Sequence, residues 1–202
     1  GKVGYKINYM DLAGNTAVRE VIANLTIDTQ APVISGIELK NGTDQNIYWV
    51  KKGEKIKLTF ISDSNLKSNP IVTFKSGHSQ FDNSAAVLMG QVATTKHVNG
   101  DNTYNTMDYI VSEADITDGL ISYEISNIED EAGNQTANIK GSATLKLDTI
   151  IPVVNDISLV NNTNGSVKWI KNTQSISLTF SENTNKPITV GSVSFRIGDS
   201  NS

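Results

Sequence analysis

The sequence contains no cysteine, only 4 prolines and 6% aromatic residues among its 202 residues. Without cysteine the chain can form no disulfide bond, so a small fold that depends on disulfides is excluded. No apolar run is long enough to cross a membrane as a helix, which argues against membrane insertion. The formal net charge of −4 argues against a nucleic-acid partner, because binding nucleic acid requires a basic surface.

What the sequence does contain is typical of strands and turns. Ile, Val and Thr dominate the apolar runs, and Asn, Ser, Thr and Gly are abundant between them. β-branched residues favour strands, whereas Asn and Gly favour turns. No stretch shows a helical apolar period of useful length, so we predict an all-β fold.

Several segments of the chain occur twice, in the same order and about 120 residues apart, a spacing that suits one β-sandwich domain. Asp28-Thr29-Gln30-Ala31-Pro32 returns as Asp148-Thr149-Ile150-Ile151-Pro152, and Ile56–Phe60 returns as Ile176–Phe180. Trp49 and Trp169 occupy equivalent places, and Asp11-Leu12-Ala13-Gly14-Asn15 matches Asp130-Glu131-Ala132-Gly133-Asn134.

The repeat sets the predicted domain boundaries. Residues 1–30 are predicted to be the C-terminal strands of one domain, 31–148 a complete domain, and 149–202 the N-terminal strands of a following domain. Because the chain opens within a strand-like segment, we expect it to be a fragment of a longer protein. The strands predicted for the complete domain are Val33–Leu39, Lys55–Ile61, Ile71–Lys75, Ala85–Thr95, Tyr104–Ser112, Leu120–Ile128 and Thr136–Leu147.

These motifs resemble the immunoglobulin-like repeats of large bacterial surface proteins and adhesins. The resemblance lies in the Asp130–Asn134 hairpin, the Asp148–Pro152 linker and the Ile-x-Leu-Thr-Phe strand at Ile176–Phe180, and it covers essentially the whole chain. The complete domain departs from the family pattern at Ile61-Ser62-Asp63, directly after its second strand. The resemblance implies tandem immunoglobulin-like β-sandwiches, exposed outside the cell on its surface.

For function, the resemblance implies a non-catalytic stalk or spacer of an adhesin-like protein, with neighbouring repeats of the same chain as partners. No catalytic motif accompanies His78 or His97, so we expect no enzyme. An alternative is a module that binds a carbohydrate or a protein of a host or cell surface, and another is a building block of a surface layer or appendage. The polar stretch Ser76–Asn105 favours binding if it forms an insertion loop. Trp49 and Trp169 suit packing in a core or at a domain junction, or alternatively stacking on a sugar.

The only cofactor that the residues suggest is a calcium ion. In an immunoglobulin topology the incoming linker and two of the loops lie at the same pole of the domain. Asp28 in the linker, Asp63 in one loop, and Asp130 and Glu131 in the hairpin should therefore converge. Calcium prefers such oxygen ligands from short acidic loops. The alternative is that each aspartate stabilises its own turn by accepting backbone hydrogen bonds.

Overall fold

The computed structural model describes residues 1–97, 101–112, 117–165, 168–182 and 192–195. The described residues form strands and turns and no helix, which confirms the predicted all-β class. None of them therefore belongs to a helix that is long and apolar enough to cross a membrane. The chain divides into two compact units, Gly1–Thr149 and Ile150–Ser202. The predicted limits of the domains themselves stay predictions.

The first unit begins with a hairpin and continues into a large sheet. Its strands are β1 (Lys2–Met10), β2 (Thr16–Thr26), β3 (Ile34–Asn41), β4 (Trp49–Val50), β5 (Lys55–Ser62), β6 (Ile71–Ser76), β7 (Val87–Lys96), β8 (Thr103–Thr106), β9 (Tyr109–Ile110), β10 (Gly119–Ser126), β11 (Ile128–Glu129), β12 (Gln135–Thr136) and β13 (Ile139–Leu147). β1 pairs only with β2, and β11 pairs only with β12, in the described part of the chain.

The large sheet runs in the order β3-β5-β8-β7-β6-β10-β13-β4, and β9 pairs with β5. The long strand β7 belongs to both halves of this sheet: its first part pairs with β6 and its last part pairs with β8. All of these pairings are antiparallel except that of β13 with β4, which is parallel. The two halves enclose one apolar core.

The core follows from the alternation of apolar and polar residues along each strand. In β5, every second residue from Ile56 to Phe60 is buried, and Lys57 and Thr59 between them are partly exposed. Across the core, Ile121 and Ile125 of β10 and Leu145 of β13 are fully buried. The rings of Phe60 and Tyr104 stack with their centroids 5.4 Å apart, within the range of favourable aromatic pairs.

Four predicted features differ from the structure. The strand predicted from Thr136 to Leu147 is interrupted at Ala137 and Asn138, which separate β12 from β13. The strand predicted from Tyr104 to Ser112 is interrupted at Met107 and Asp108, which separate β8 from β9. The strand predicted from Leu120 to Ile128 is interrupted at Asn127, whose φ of 60° lies in the left-handed region. The stretch Ser76–Asn105 is no insertion loop, because β7 occupies its centre and its outer residues belong to β6 and β8. Residues 98–100 of that stretch lie outside the described residues.

The second unit contains the hairpin of β14 (Val154–Asn161) and β15 (Ile176–Glu182). Its register repeats that of β3 and β5 with all numbers increased by 120: Leu39 pairs with Leu58, and Leu159 pairs with Leu178. An irregularity follows Ser35 in one hairpin and Asn155 in the other. Most of the predicted third copy after residue 182 lies outside the described residues.

Candidate functional site

Three segments of the first unit meet at one pole of the sheet: the linker 28–33, the loop 62–68, and the hairpin 129–136 that joins β11 to β12. The loop touches the hairpin through an isolated bridge between Leu66 and Asp130. The backbone N–H of Lys67 also donates to the carbonyl of Glu129, at 2.9 Å. We call this region the linker pole.

Asp130 organises the hairpin of the linker pole from a buried position. Its Oδ1 accepts hydrogen bonds from the backbone N–H groups of Ala132 and Asn134, both at 2.9 Å, and its Oδ2 accepts one from Asn134 Nδ2 at 2.9 Å. Gly133 completes the turn with a φ of 90°, which side chains other than glycine rarely adopt. The side-chain hydrogen bond from Asn134 is the main reason that the pKa of Asp130 lies below its usual value, while burial opposes this shift.

The same turn occurs in the first hairpin of the chain, between β1 and β2. Asp11 accepts from the backbone N–H groups of Ala13 and Asn15 and from Asn15 Nδ2, at 2.8–2.9 Å. Gly14 has a φ of 88°. The repeated Asp-x-Ala-Gly-Asn motif therefore builds one type of turn, in which the aspartate is the acceptor for the whole loop.

The linker is bonded to the loop and to the hairpin at three points. Asn134 Nδ2 donates to the carbonyl oxygen of Asp28 at 3.4 Å. The hydroxyl of Thr136 donates to the carbonyl of Pro32. Val33 and Asp63 exchange two bonds: the N–H of Val33 donates to Asp63 Oδ1 at 2.8 Å, and the N–H of Asp63 donates to the carbonyl of Val33 at 3.1 Å.

The four predicted calcium ligands therefore lie on segments that contact one another, but their carboxylates have separate local roles. Asp63 and Asp130 accept the bonds just described, and Asp28 Oδ1 accepts from the N–H of Gln30 at 3.1 Å. Glu131 is exposed on the hairpin. Within the described ranges, no three carboxylate or histidine side chains form a group that could hold a metal ion. The bonds of Asp28 and Asp130 are those expected of turn-stabilising aspartates, whereas Asp63 accepts from Val33, 30 residues away in the linker. Calcium binding stays a prediction.

An ion pair at the linker pole was not foreseen from the sequence. Lys67 Nζ lies 2.6 Å from Glu129 Oε1, and Gln135 Nε2 donates to Glu129 Oε2 at 3.1 Å. The hydrogen bond from Lys67 lowers the pKa of Glu129, and the same bond raises the pKa of Lys67. The two residues are 62 positions apart, so only the tertiary fold brings them together.

A second recurring arrangement surrounds Asn41 at the end of β3. Asn41 Nδ2 donates to the carbonyl of Trp49 at 3.2 Å and to Glu54 Oε2 at 2.8 Å, and Asn41 Oδ1 accepts from the N–H of Thr43. In the second unit, Asn161 Nδ2 donates to the carbonyl of Trp169 at 3.1 Å and to Gln174 Oε1 at 2.8 Å. The sequence shows both asparagines, but not that each one holds its turn from a buried position.

Trp49 lies at the surface and not in the core, so of its expected places only packing at a domain junction and stacking on a sugar stay predictions. Its side chain is 40% exposed, and Lys146 Nζ lies 5.4 Å from the centre of the ring. The next residue, Val50, is the one that enters the core. Successive residues of a strand point to opposite faces, so in β4 the burial of Val50 leaves Trp49 on the outer face.

Comparisons of the chain with protein-family models, with curated proteins and with the solved structures give no match. Its function is therefore inferred from the geometry of its own residues. Two features of that geometry are used below. The turns centred on aspartate and on asparagine each occur twice. The linker is hydrogen-bonded to the loop and to the hairpin of the linker pole.

Proposed function

We propose that the chain is part of a non-catalytic stalk, built from tandem immunoglobulin-like β-sandwiches, in an adhesin-like protein on the outside of a cell. Residues 31–148 form one complete domain of this stalk. The partners of that domain are the neighbouring repeats in the same chain. The single observation that supports this function best is that the linker 28–33 is hydrogen-bonded to the loop 62–68 and to the hairpin 129–136.

A linker in a stalk has to limit the swing of one domain relative to the next. Here β2 ends at Thr26 and β3 begins at Ile34, so only a short connection separates them. Two of its carbonyl groups, those of Asp28 and Pro32, accept hydrogen bonds from the hairpin that follows, and Val33 is bonded to Asp63. Pro32 restricts its own φ and favours an extended Ala31. Such a connection is short and semi-rigid, which suits a spacer better than a flexible tether.

The recurrence of whole hydrogen-bonded turns supports a tandem array. The aspartate turn occurs at Asp11 and Asp130, and the asparagine turn occurs at Asn41 and Asn161. The spacing of about 120 residues equals one β-sandwich domain with its linker. Copies of one unit in series are the usual design of a spacer, whereas a ligand site is usually confined to one specialised domain.

The pairing of β4 with β13 suits a domain that carries tension. The N–H of Lys146 donates to the carbonyl of Tyr48 at 2.8 Å, and the N–H of Asp148 donates to the carbonyl of Val50 at 3.0 Å. Asn41 in turn holds Trp49 to the end of β3. A pull on the linkers at the two ends of the domain loads these bonds, because β3 follows one linker and β13 precedes the other.

Single-molecule force spectroscopy of the full chain tests this function. We expect a distinct unfolding step that releases up to about 400 Å, because roughly 120 residues extend by about 3.3–3.6 Å each. Lys146→Pro removes the N–H that bonds to Tyr48, and should lower the unfolding force. Glu131→Pro is the matched control, since proline suits the second position of the hairpin turn and should leave the force unchanged. A chain that extends without a force-bearing step, or that responds equally to both prolines, would contradict a load-bearing role.

A further inference from the structure

Asn41 is followed directly by Gly42, and this pair of residues is chemically reactive in an unfolded chain. The backbone nitrogen of the glycine attacks Cγ of the asparagine and forms a succinimide ring. The bond from Cγ to Nδ2 breaks, and the proton of the glycine N–H leaves with that nitrogen as ammonia. Water then opens the ring, which leaves aspartate or isoaspartate. Glycine favours the attack because it has no side chain and its backbone is free to turn.

The folded first unit holds every group that this reaction has to move. The N–H of Gly42 donates to the carbonyl of Lys55 at 2.7 Å, which fixes its proton and the direction of its nitrogen. Asn41 Nδ2, the leaving group, donates to the carbonyl of Trp49 at 3.2 Å and to Glu54 Oε2 at 2.8 Å. Asn41 Oδ1 accepts a third bond, so the carboxamide can turn towards the nitrogen of Gly42 only by losing all three.

Burial also keeps away the water that the second step needs. Asn41 is only 1% exposed. Its own N–H donates to the carbonyl of Asn46 at 2.7 Å, and its carbonyl accepts from the N–H of Gln45 at 2.9 Å. These bonds exist only while the turn is folded. The pair is therefore protected by the fold and not by its sequence.

The product of the reaction does not restore the turn. An aspartate at position 41 has no N–H to donate to Trp49 or to Glu54, and at neutral pH it places a second negative charge beside the Glu54 carboxylate. Isoaspartate in addition lengthens the backbone at the end of β3, where residue 41 pairs with Ile56. Either product leaves buried groups without their hydrogen-bond partners, which destabilises the folded state.

The second unit has the same turn without the reactive pair. Asn161 is bonded like Asn41, but the residue that follows it is Asn162, whose N–H donates to the carbonyl of Ser175 at 2.8 Å. The side chain of Asn162 hinders the attack of its backbone nitrogen. The turn can therefore be built with a less reactive residue in the place of glycine, and Gly42→Asn is a matched substitution.

We propose that Asn41-Gly42 is a deamidation site that the fold masks. The pair reacts while the first unit is unfolded, and the reaction prevents that unit from regaining its native stability. Each period spent unfolded thus converts a part of the molecules irreversibly. This inference goes beyond the stalk function and does not require it, because unfolding by heat or denaturant unmasks the pair as well as unfolding by force.

Peptide mapping by mass spectrometry after incubation of the full chain tests the masking. One sample stays folded in buffer at neutral pH, and the other is kept unfolded in guanidinium chloride at the same pH and temperature. Conversion of Asn41 should be slower in the folded sample by about a hundredfold or more, because only a small fraction of a folded protein is unfolded at any time. Asn99 and Asn164 are also followed by glycine, so they serve as references for the reaction in the unfolded sample.

Refolding of the same samples tests the consequence. After removal of the denaturant, the fraction of molecules with native thermal stability should fall in proportion to the conversion of Asn41. Gly42→Asn should slow both losses. A Cβ at position 42 would lie 3.2 Å from the Cβ of Lys55, so the recovery of each variant is compared with its own stability before incubation. The control that carries Gly100→Asn and Gly165→Asn keeps Asn41-Gly42 and should lose refolding like the unaltered chain.

Three results would overturn the proposal. The first is conversion of Asn41 at equal rates in the folded and unfolded samples. The second is an Asn41 that stays intact in the unfolded sample while Asn99 and Asn164 react. The third is a loss of refolding that Gly42→Asn leaves unchanged, or that the control variant prevents.

Discussion

Replacing Asn41 should destabilise the first unit more than its position in a turn suggests. The residue is buried, and its side chain makes three hydrogen bonds. Through Nδ2 it holds the carbonyl of Trp49 and the carboxylate of Glu54, and through Oδ1 it holds the N–H of Thr43. Asn41 thereby fixes the start of β4, whose next residue, Val50, enters the core.

The magnitude follows from these bonds. A hydrogen bond contributes a net ~1 kcal/mol, a bond to a charged group contributes more, and a buried partner that is left without a bond adds a desolvation cost. Asn41→Ala should therefore lower the free energy of unfolding by roughly 3 kcal/mol. For a domain of this size that loss corresponds to a decrease of about 10 °C in Tm.

Two further variants separate the hydrogen bonds from the loss of volume. Asn41→Asp keeps the shape but places an oxygen against the Trp49 carbonyl and the Glu54 carboxylate, so at neutral pH it should destabilise at least as much as alanine. Asn161→Ala removes the equivalent bonds in the second unit, where the acceptor is the neutral Gln174. It should leave the unfolding of the first unit unchanged.

Urea unfolding monitored by tryptophan fluorescence measures these differences. The chain has 2 tryptophans, so Trp169→Phe leaves Trp49 as the reporter on β4. The reasoning is refuted if both Asn41 variants unfold within about 0.5 kcal/mol of the parent, since changes of that size are typical of surface positions without special roles. It is also refuted if Asn41→Asp is more stable than Asn41→Ala at neutral pH.

Three other predictions concern the hairpins and the linker pole. The pKa of Asp130 is lower in the folded chain than its ordinary value of 3.8. Its contribution to stability is therefore present above that value and is lost as the pH falls through the folded pKa. Asp130→Asn should make the free energy of unfolding depend less on pH in this acid range, as measured by urea titrations at several pH values. Gly141→Ala would place its Cβ 2.6 Å from the Tyr123 hydroxyl and should lower the free energy of unfolding by about 1–3 kcal/mol, whereas Gly4→Ala, with 3.7 Å to its nearest neighbour, should not. Millimolar calcium should raise Tm if the predicted site exists, and Asp28→Ala should weaken that rise; a flat calorimetric titration would exclude calcium.

The strands could be predicted closely because their signals are local. Ile56, Leu58 and Phe60 alternate with polar residues, so the sequence itself shows which side of β5 is buried. Turn residues mark where such strands end. The two-residue strand β4 has no such signal, because its pairing with β13 joins residues about a hundred positions apart. Its existence depends on contacts that only the folded sheet supplies.

The interruptions of predicted strands have a similar cause. Nothing in the local pattern distinguishes Met107 and Asp108 from their neighbours in β8 and β9, yet the chain leaves the sheet there. In the folded unit, the Asp108 carboxylate lies 2.6 Å from Lys55 Nζ on β5, and the Tyr109 hydroxyl donates to the carbonyl of Met89 on β7. Both partners lie far away in the sequence, so the choice between one strand and two is made by tertiary contacts.

The candidate site shows the same division between local and tertiary information. The topology was sufficient to place Asp28, Asp63 and Asp130 on segments that meet, because loops at one pole of a sandwich are neighbours. It could not show which atoms the carboxylates would accept from. An aspartate in a turn and an aspartate in a calcium site have the same sequence signature, since both follow from short acidic loops.

The attachment of the linker illustrates why that distinction matters physically. A neutral amide, Asn134 Nδ2, donates both to Asp130 Oδ2 and to the carbonyl of Asp28, so one side chain orders the hairpin and holds the linker. The hydroxyl of Thr136 adds a second neutral donor at Pro32. Neither bond depends on charge on the linker, and hydrogen bonds between neutral groups are screened little by salt. The hairpin already donates hydrogen bonds to the linker carbonyls of Asp28 and Pro32, so this attachment does not need a metal ion, and a bound ion would only add to it.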